Sequence, residues 1–334
     1  MDFSLNKNTK IYVAGHKGLI GSAFVRFFEK NNFTNIIVED RKKLDLCSKD
    51  ATFSFFQQHQ PEVVILAAGK VGGIVQNRDF PLDFLNENLS MQINVFNSAR
   101  EFKVKKLLFF GSSCMYPKNS LIPMKESQIF TGDLEQTSIA YATAKYSGYQ
   151  MCQAINRQFN MSSFISVIPN SVYGPNDNFD LNSSHVLSAL IRRIHEAKTS
   201  NLTSVQLWGT GSPRREFIYS DDLVEACVLL LNSTFQFQNF PINISEGVDF
   251  SIKELSIIIS KVVGYRGEVN WDVSKPDGAI KKLLDNSKIK SIGWNASTNL
   301  EQGIKKYING ILTACKDLLI LIFMQGVLCF LTFK

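Results

Sequence analysis

Tyr141 and Lys145 stand four residues apart in YATAK (141–145), a spacing that puts both on one face of a helix. A phenol with a pKa of ~10 is a poor acid or base at neutral pH until a neighbouring cation stabilises its phenolate. Lys145 would supply that cation and would also hold a ribose. Ser112, in GSSCMYP (111–117) at the end of an apolar run, would share a substrate oxygen with Tyr141. The three together suit proton delivery to a carbonyl oxygen as it is reduced. Cys114 lies two residues beyond Ser112, within reach of the same pocket, where a thiol of lowered pKa becomes a general base. His185, in NSSHV (182–186) ahead of a helical run, offers the partner acid. Taken singly, a buried thiol and a helix-capping imidazole are the plainer readings of these last two.

A reduction needs a hydride donor, and the first strand leads into a place for one. Gly15-His16-Lys17-Gly18-Leu19-Ile20-Gly21 follows IYVAG (11–15) and opens the helical stretch SAFVRFFEKN. Glycines at such a turn allow a close backbone approach to a pyrophosphate, and the helix N-terminus supplies free N–H groups and positive potential. Eighteen residues after Gly21 come Glu39 and Asp40, placed to accept a ribose 2′-OH and to repel a 2′-phosphate, which favours NAD. Lys17 and Arg41-Lys42-Lys43 argue the other way, since they can clamp a phosphate. Asp45 and Leu46 fall where the adenine ring would lie. The balance favours NADPH/NADP, with NADH as the alternative.

The elements that must hold these groups recur regularly. IYVAG (11–15), NIIVED (35–40), EVVILAAG (62–69), KLLFFGSS (106–113) and SSFISVIPN (162–170) read as buried parallel strands separated by helical stretches. The pattern predicts an α/β fold with a doubly wound parallel sheet and right-handed crossovers. After about residue 175 it loosens into helices at 185–197 and 221–232 and a short strand at 205–209, a smaller α/β lobe over the carboxyl edge of the sheet, with the ligand between the lobes.

Composition narrows the classes. A chain of 334 residues with 45% hydrophobic and 20% charged residues is neither disordered nor a polytopic membrane protein. The net charge of +6 has no long basic run behind it, which suits an anionic small ligand and argues against nucleic acid. The cysteines at 47, 114, 152, 227, 315 and 329 show no CxxC and no Cys/His pair at zinc spacing, so no metal is expected and a reducing compartment is. The N-terminus lacks an apolar leader, so the location expected is cytoplasmic and sequons such as Asn88-Leu89-Ser90 should carry no glycan.

The motifs AGHKGLIGSA, LAAGKVGGI, LLFFGSSCMYPK, PMKES, YATAK, VYGPNDNF, NSSHV, RRIHEA, WGTG, RREFIY, KPDG and KLLD, spread over residues 8–312, make the chain resemble the GDP-L-fucose synthases, 3,5-epimerase-4-reductases among the extended short-chain dehydrogenases. The resemblance implies a Rossmann-type NADP-binding domain over 1–175 that shares elements with later segments, a mainly substrate-binding lobe over 176–312, and an atypical apolar tail over 313–334. It implies that GDP-4-keto-6-deoxy-D-mannose is epimerised at C3 and C5 and then reduced at C4 by NADPH. By motif position Cys114 is the base and His185 the acid, while Tyr141, Lys145 and Ser112 serve the C4 oxygen. Arg193, Trp208, Arg215 and Asp277 fall on the substrate positions, and Pro169, Asn170, Ser171, Val172 and His185 lie beside the cofactor. A homodimer built from the helix of Tyr141 and the segment near Asn94 is implied as well. The alternative is another NAD(P)-dependent nucleotide-sugar epimerase or dehydratase, against which Ser112-Ser113-Cys114 argues.

Three features depart from the family's pattern. Asn170-Ser171 stands where Thr-Asn is usual, Glu39-Asp40 replaces a more basic or neutral pair, and the uncharged run 318–333 matches nothing. That run has sixteen residues, short of the ~17 to 25 that span a bilayer. An aberrant C-terminus that adds little to function is the preferred reading, with a helix packed on the body and, less favoured, a membrane anchor as the alternatives.

Overall fold

A computed structural model describes residues 3–180, 184–233, 241–275 and 277–308. The first half runs β1 (Ile11–Ala14), α1 (Leu19–Lys30), β2 (Ile36–Ile37), α2 (Lys49–His59), β3 (Val63–Leu66), α3 (Ile74–Asp79), α4 (Pro81–Glu101), β4 (Lys106–Phe110), α5 (Ile139–Gln158) and β5 (Phe164–Pro169). The second half adds β6 (Ser171–Tyr173), α6 (Val186–Thr199), β7 (Ser204–Trp208), β8 (Arg214–Tyr219), α7 (Ser220–Asn232), β9 (Ile242–Ile244), β10 (Asp249–Ser251), α8 (Ile252–Val263), β11 (Glu268–Asp272), β12 (Lys281–Lys282) and α9 (Ser287–Ser291). Residues 300–308 are helical as well.

Six strands form one parallel sheet in the order β2-β1-β3-β4-β5-β9. Every residue of β1 and β3 is buried, as runs without polar alternation require when helices cover both faces. Phe24 and Phe28 of α1 join Leu223, Ala226, Cys227 and Leu230 of α7 on one face. Phe55 and Phe56 of α2, Val95 and Phe96 of α4, and Tyr149 and Cys152 of α5 cover the other. The order of strands reverses between β1 and β3, the point at which doubly wound sheets place their ligands, beyond the carboxyl ends of the strands. The predicted strand over 35–40 shrinks to Ile36–Ile37, because it is a half-buried edge and the chain turns at once, Leu44 N–H donating to Asp40 O.

The second body gathers around β8, which pairs with β6 and β12 in parallel and with β10 in antiparallel fashion. Its core joins α6 and α8 through Leu187, Ile191, Ile194, Leu255 and Ile259, with Tyr173 and Phe217 from the strands. The parallel pair β7 and β11 lies beside α6. The chain crosses between the bodies more than once, since α7, β9 and α9 return to the first sheet. The apolar run 318–333, with Cys315 and Cys329, lies outside the described residues; among those described, no helix is long and apolar enough to cross a membrane.

Phe56 is fully buried against Tyr12 and Phe55, ring centroids 6.0 and 6.1 Å away. Phe56→Ala is expected to cost about 3 to 5 kcal/mol of stability. Urea unfolding checks this as a lower midpoint at unchanged slope.

Candidate active site

The turn between β1 and α1 has no room for side chains at its two outer glycines. Gly15 sits at φ +80°, where L side chains are disfavoured. A Cβ on Gly21 would lie 2.2 Å from Gly15 O and 2.9 Å from His16 Cα. Helix α1 starts at Gly18 without a side-chain cap or an acidic residue in its first turn. Its leading N–H groups are thus left for an anion, a cradle that fits a dinucleotide pyrophosphate.

Charges beside this cradle are paired. Asp40 Oδ1 lies 2.6 Å from Lys17 Nζ and 3.6 Å from His16 Nε2, and the hydrogen bond from Lys17 holds its carboxyl below the usual range. Arg41 bonds Glu87 at 3.0 Å, and Lys43 lies 3.7 Å from Glu39. Lys17 and Arg41 keep 73% and 74% of their side chains exposed, so either can swing to a ligand phosphate. Asp45 accepts from Cys47 N–H at 3.0 Å, and buried Leu46 presents its carbonyl to Asn94 Nδ2 at 2.9 Å.

Four of the expected catalytic residues meet at the carboxyl end of β4. Tyr141 and Lys145 share one face of α5, with the ammonium 5.8 Å from the phenol ring centroid. Lys145 is 5% exposed and donates to Phe110 O at 2.9 Å. Burial pulls its pKa from 10.5 to about 8. Burial pushes the Tyr141 phenol up, Cys114 close by adds to the rise, and a hydrogen bond with Ser112 opposes it. Ser112 Oγ also accepts from Cys114 N–H at 3.2 Å. Ser112 is therefore shared by the phenol and by the turn that carries the thiol.

Asn170 of the segment Pro169–Val172 has its amide turned away into Glu216, at 2.6 Å, and accepts from Ser171 N–H at 3.0 Å. This leaves the backbone and the half-buried Ser171 and Val172 for contact with a ligand.

The other body carries the remaining residues. His185 is the exposed N-cap residue of α6, within electrostatic reach of the half-buried Asp177 carboxyl, which accepts from Ser188 Oγ at 2.5 Å. Arg193 lies over the Trp208 ring at 5.4 Å and Lys275 at 5.7 Å, with Trp208 62% exposed. Arg215 donates to the carbonyls of Ala279 and Arg214 at 2.6 and 2.8 Å, and burial lowers its pKa. A half-desolvated guanidinium bonded to neutral carbonyls gains from an anionic ligand. Asp277 accepts from Thr210 N–H at 3.0 Å and Oγ1 at 2.6 Å, which orders the loop before Arg215.

This geometry can be set beside known proteins. The profile of the NAD dependent epimerase/dehydratase family matches residues 11–244. A putative GDP-L-fucose synthase 2 of Arabidopsis thaliana is 48% identical over 304 residues, 91% of this chain and 92% of its own. The GDP-L-fucose synthase of Escherichia coli K12 is 41% identical over 88% of this chain and 94% of its own. The chain belongs to the GDP-L-fucose synthase family. The crystal structure of a family member from Naegleria fowleri bound to NADP superposes with a TM-score of 0.87 at 28% identity, covering 94% of this chain and 96% of that one.

Two buried residues of this region carry no functional signal in the sequence. Asn88 is 1% exposed and bonds both Lys70 N–H and Lys70 O at 3.0 Å, shaping the KVGGI loop. In sequence it is only the head of a sequon, and its burial bars a glycan. Glu216 is fully buried in RREFIY and accepts from Asn170, Leu284 N–H and Gly247 N–H. A carboxylate next to two arginines reads as an ion pair until the fold shows otherwise.

Folding drags the Lys145 ammonium from 10.5 to about 8, so the folded chain binds fewer protons than the unfolded chain between those values. Stability then rises with pH across that window, and the burial penalty is at full strength below pH 8. Lys145→Met removes the penalty. The variant's stability relative to the native chain is expected to be more favourable at pH 7 than at pH 10 by about 2 kcal/mol, measured by urea unfolding at both values. Reductase activity should fall by about 100-fold or more.

Proposed function

We infer that this chain converts GDP-4-keto-6-deoxy-D-mannose to GDP-L-fucose, by epimerisation at C3 and C5 and NADPH-dependent reduction at C4. The observation that carries the reading is the place of Ser112, whose hydroxyl accepts from Cys114 N–H at 3.2 Å and whose nearness opposes the rise of the Tyr141 phenol pKa. A ketone whose C4 oxygen rests on Ser112 and Tyr141 has its C3 and C5 beside the thiol. The reductase and epimerase groups thus address one bound sugar.

The 4-keto group acidifies the protons on both neighbouring carbons, so one base serves both centres. Cys114 takes the proton, and the enolate charge that develops on the C4 oxygen is held by hydrogen bonds from Tyr141 and Ser112. His185 returns a proton on the opposite face. NADPH, when bound in the glycine cradle, supplies the hydride. Tyr141 gives its proton to the C4 oxygen, and the buried Lys145 ammonium stabilises the phenolate left behind. Arg193 and Arg215 take the pyrophosphate or sugar oxygens, Trp208 packs on the ligand, and Asp277 accepts from a hydroxyl or a guanine N–H.

Residues 1–175 make up most of the cofactor domain and 176–312 most of the substrate lobe. Helices α4 and α5, which pack on each other and leave Ile93 exposed next to Asn94, form the face of a homodimer. The thiol of Cys114 has to stay reduced to act as a base, which suits the cytoplasm.

Incubating the purified protein with GDP-4-keto-6-deoxy-D-mannose and NADPH should lower the absorbance at ~340 nm and release GDP-L-fucose. No oxidation of the cofactor would refute the reading. Cys114→Ser is expected to lower epimerisation by about 100-fold or more while NADPH binding, followed by fluorescence, stays unchanged. Arg215→Ala should raise KM far more than it lowers kcat, because its cation serves binding in ground state and transition state alike.

A further inference from the structure

Between β9 and the turn that carries Cys114 lies a set of buried polar groups with no part in the steps above. Asn243, on β9, is fully buried. Its Nδ2 donates to Met124 O and Asp285 O, each at 3.0 Å, and its Oδ1 accepts from Tyr116 Oη–H at 2.6 Å. Two carbonyl acceptors on one side dictate which end of the amide is NH₂, so the oxygen must face Tyr116. The backbone N–H of Asn243 donates to Glu126 Oε1 at 3.1 Å, and Lys288 Nζ lies 3.4 Å from Glu126 Oε2. Tyr116 and Glu126 are each 3% exposed. Burying so many polar groups is costly unless each is satisfied, and together they permit one arrangement.

Tyr116 directly follows the three-residue turn Ser113–Met115. That turn is closed by Met115 N–H to Ser112 O at 3.0 Å and Tyr116 N–H to Ser113 O at 3.3 Å, tight bonds of poor geometry that give it little stiffness of its own. Its position is set from outside, by the Ser112 hydroxyl on one flank, the Tyr116 hydroxyl on the other, and between them the fully buried Met115, whose carbonyl accepts from Phe130 N–H at 3.4 Å. Ser112 and Lys145 are held differently, by the end of β4 and by α5.

We propose that Tyr116, Asn243 and Glu126 are positioning residues for the epimerase step: the hydrogen bond from Tyr116 to Asn243, with Asn243 held by Glu126, fixes the turn that aims the Cys114 thiol at C3 and C5. The proposal rests on the reading of Cys114 as the base. It separates two chemistries in one pocket, because loosening the turn displaces the thiol and leaves the reductase groups in place.

Tyr116→Phe keeps the ring in its cluster of Met115, Met124, Ile168 and Leu284 and removes one hydroxyl. In deuterated water with GDP-4-keto-6-deoxy-D-mannose and NADPH, this variant is expected to lose about tenfold or more in deuterium uptake at C3 and C5. It should also release sugar that is reduced at C4 but not inverted at C3 and C5. A reduced folded fraction lowers every rate equally, so the ratio of inverted to uninverted product reads position and not stability. Glu126→Ala should shift that ratio in the same direction, whereas Glu126→Gln, which still offers an oxygen to Asn243 N–H, should restore it. A native ratio in Tyr116→Phe, or uptake and reduction falling by the same factor, overturns the proposal. Deuterium uptake that persists in Cys114→Ser overturns it together with the reading of Cys114. Uptake lost in Cys114→Ser but native in Tyr116→Phe overturns the proposal alone.

Discussion

The burial of one ammonium group organises the site. Lys145 sits inside the protein, bonded to the carbonyl that ends β4, and gives up part of its basicity for that position. A cation in such a place is tolerable only where negative charge will appear, on the Tyr141 phenolate and the oxygen it protonates. The demands on the fold follow: a strand whose last carbonyl points at the lysine, a helix carrying Tyr and Lys on one face, and a sheet apolar on both sides to hold them.

Ser112 links that cation to a second chemistry. Its hydroxyl accepts from the Cys114 amide and lies close enough to the phenol to oppose its rise in pKa, so on the proposed function the group that steadies the ketone oxygen for reduction also stands beside the thiol that works on the neighbouring carbons. An enolate and an alkoxide place charge on the same oxygen, which is why one set of donors serves both steps. On the proposed function, the two bodies of the fold divide the nucleotide work. The first offers an uncapped helix end to a pyrophosphate, and the second offers Arg193, Trp208 and Arg215 around a loop fixed by Asp277 and Thr210.

Charge pairing resolves a conflict in the sequence around residues 39–43. Acidic Glu39 and Asp40 speak against a 2′-phosphate when read alone. In the fold Asp40 is answered by Lys17 and His16, and Glu39 by Lys43, so the region is close to neutral and its exposed cations are free to move. Sequence distance hides this, since Lys17 and Asp40 are brought together by the crossover from β1 to β2.

Local pattern alone determined the sheet and the reductase trio. Unbroken apolar runs can be stable only between two layers of helices, and a Tyr and a Lys four apart can share a helix face in only one way. The glycine turn was legible for the same reason, because the backbone conformation it needs excludes other residues. Only the tertiary structure decided what depends on partners far along the chain: that Asn88 serves a loop, that Glu216 binds amides in place of the arginines beside it, and that Asn243 reaches across 127 residues to Tyr116. A buried polar side chain takes its meaning from whichever groups folding leaves without water, and those cannot be read from its neighbours in sequence.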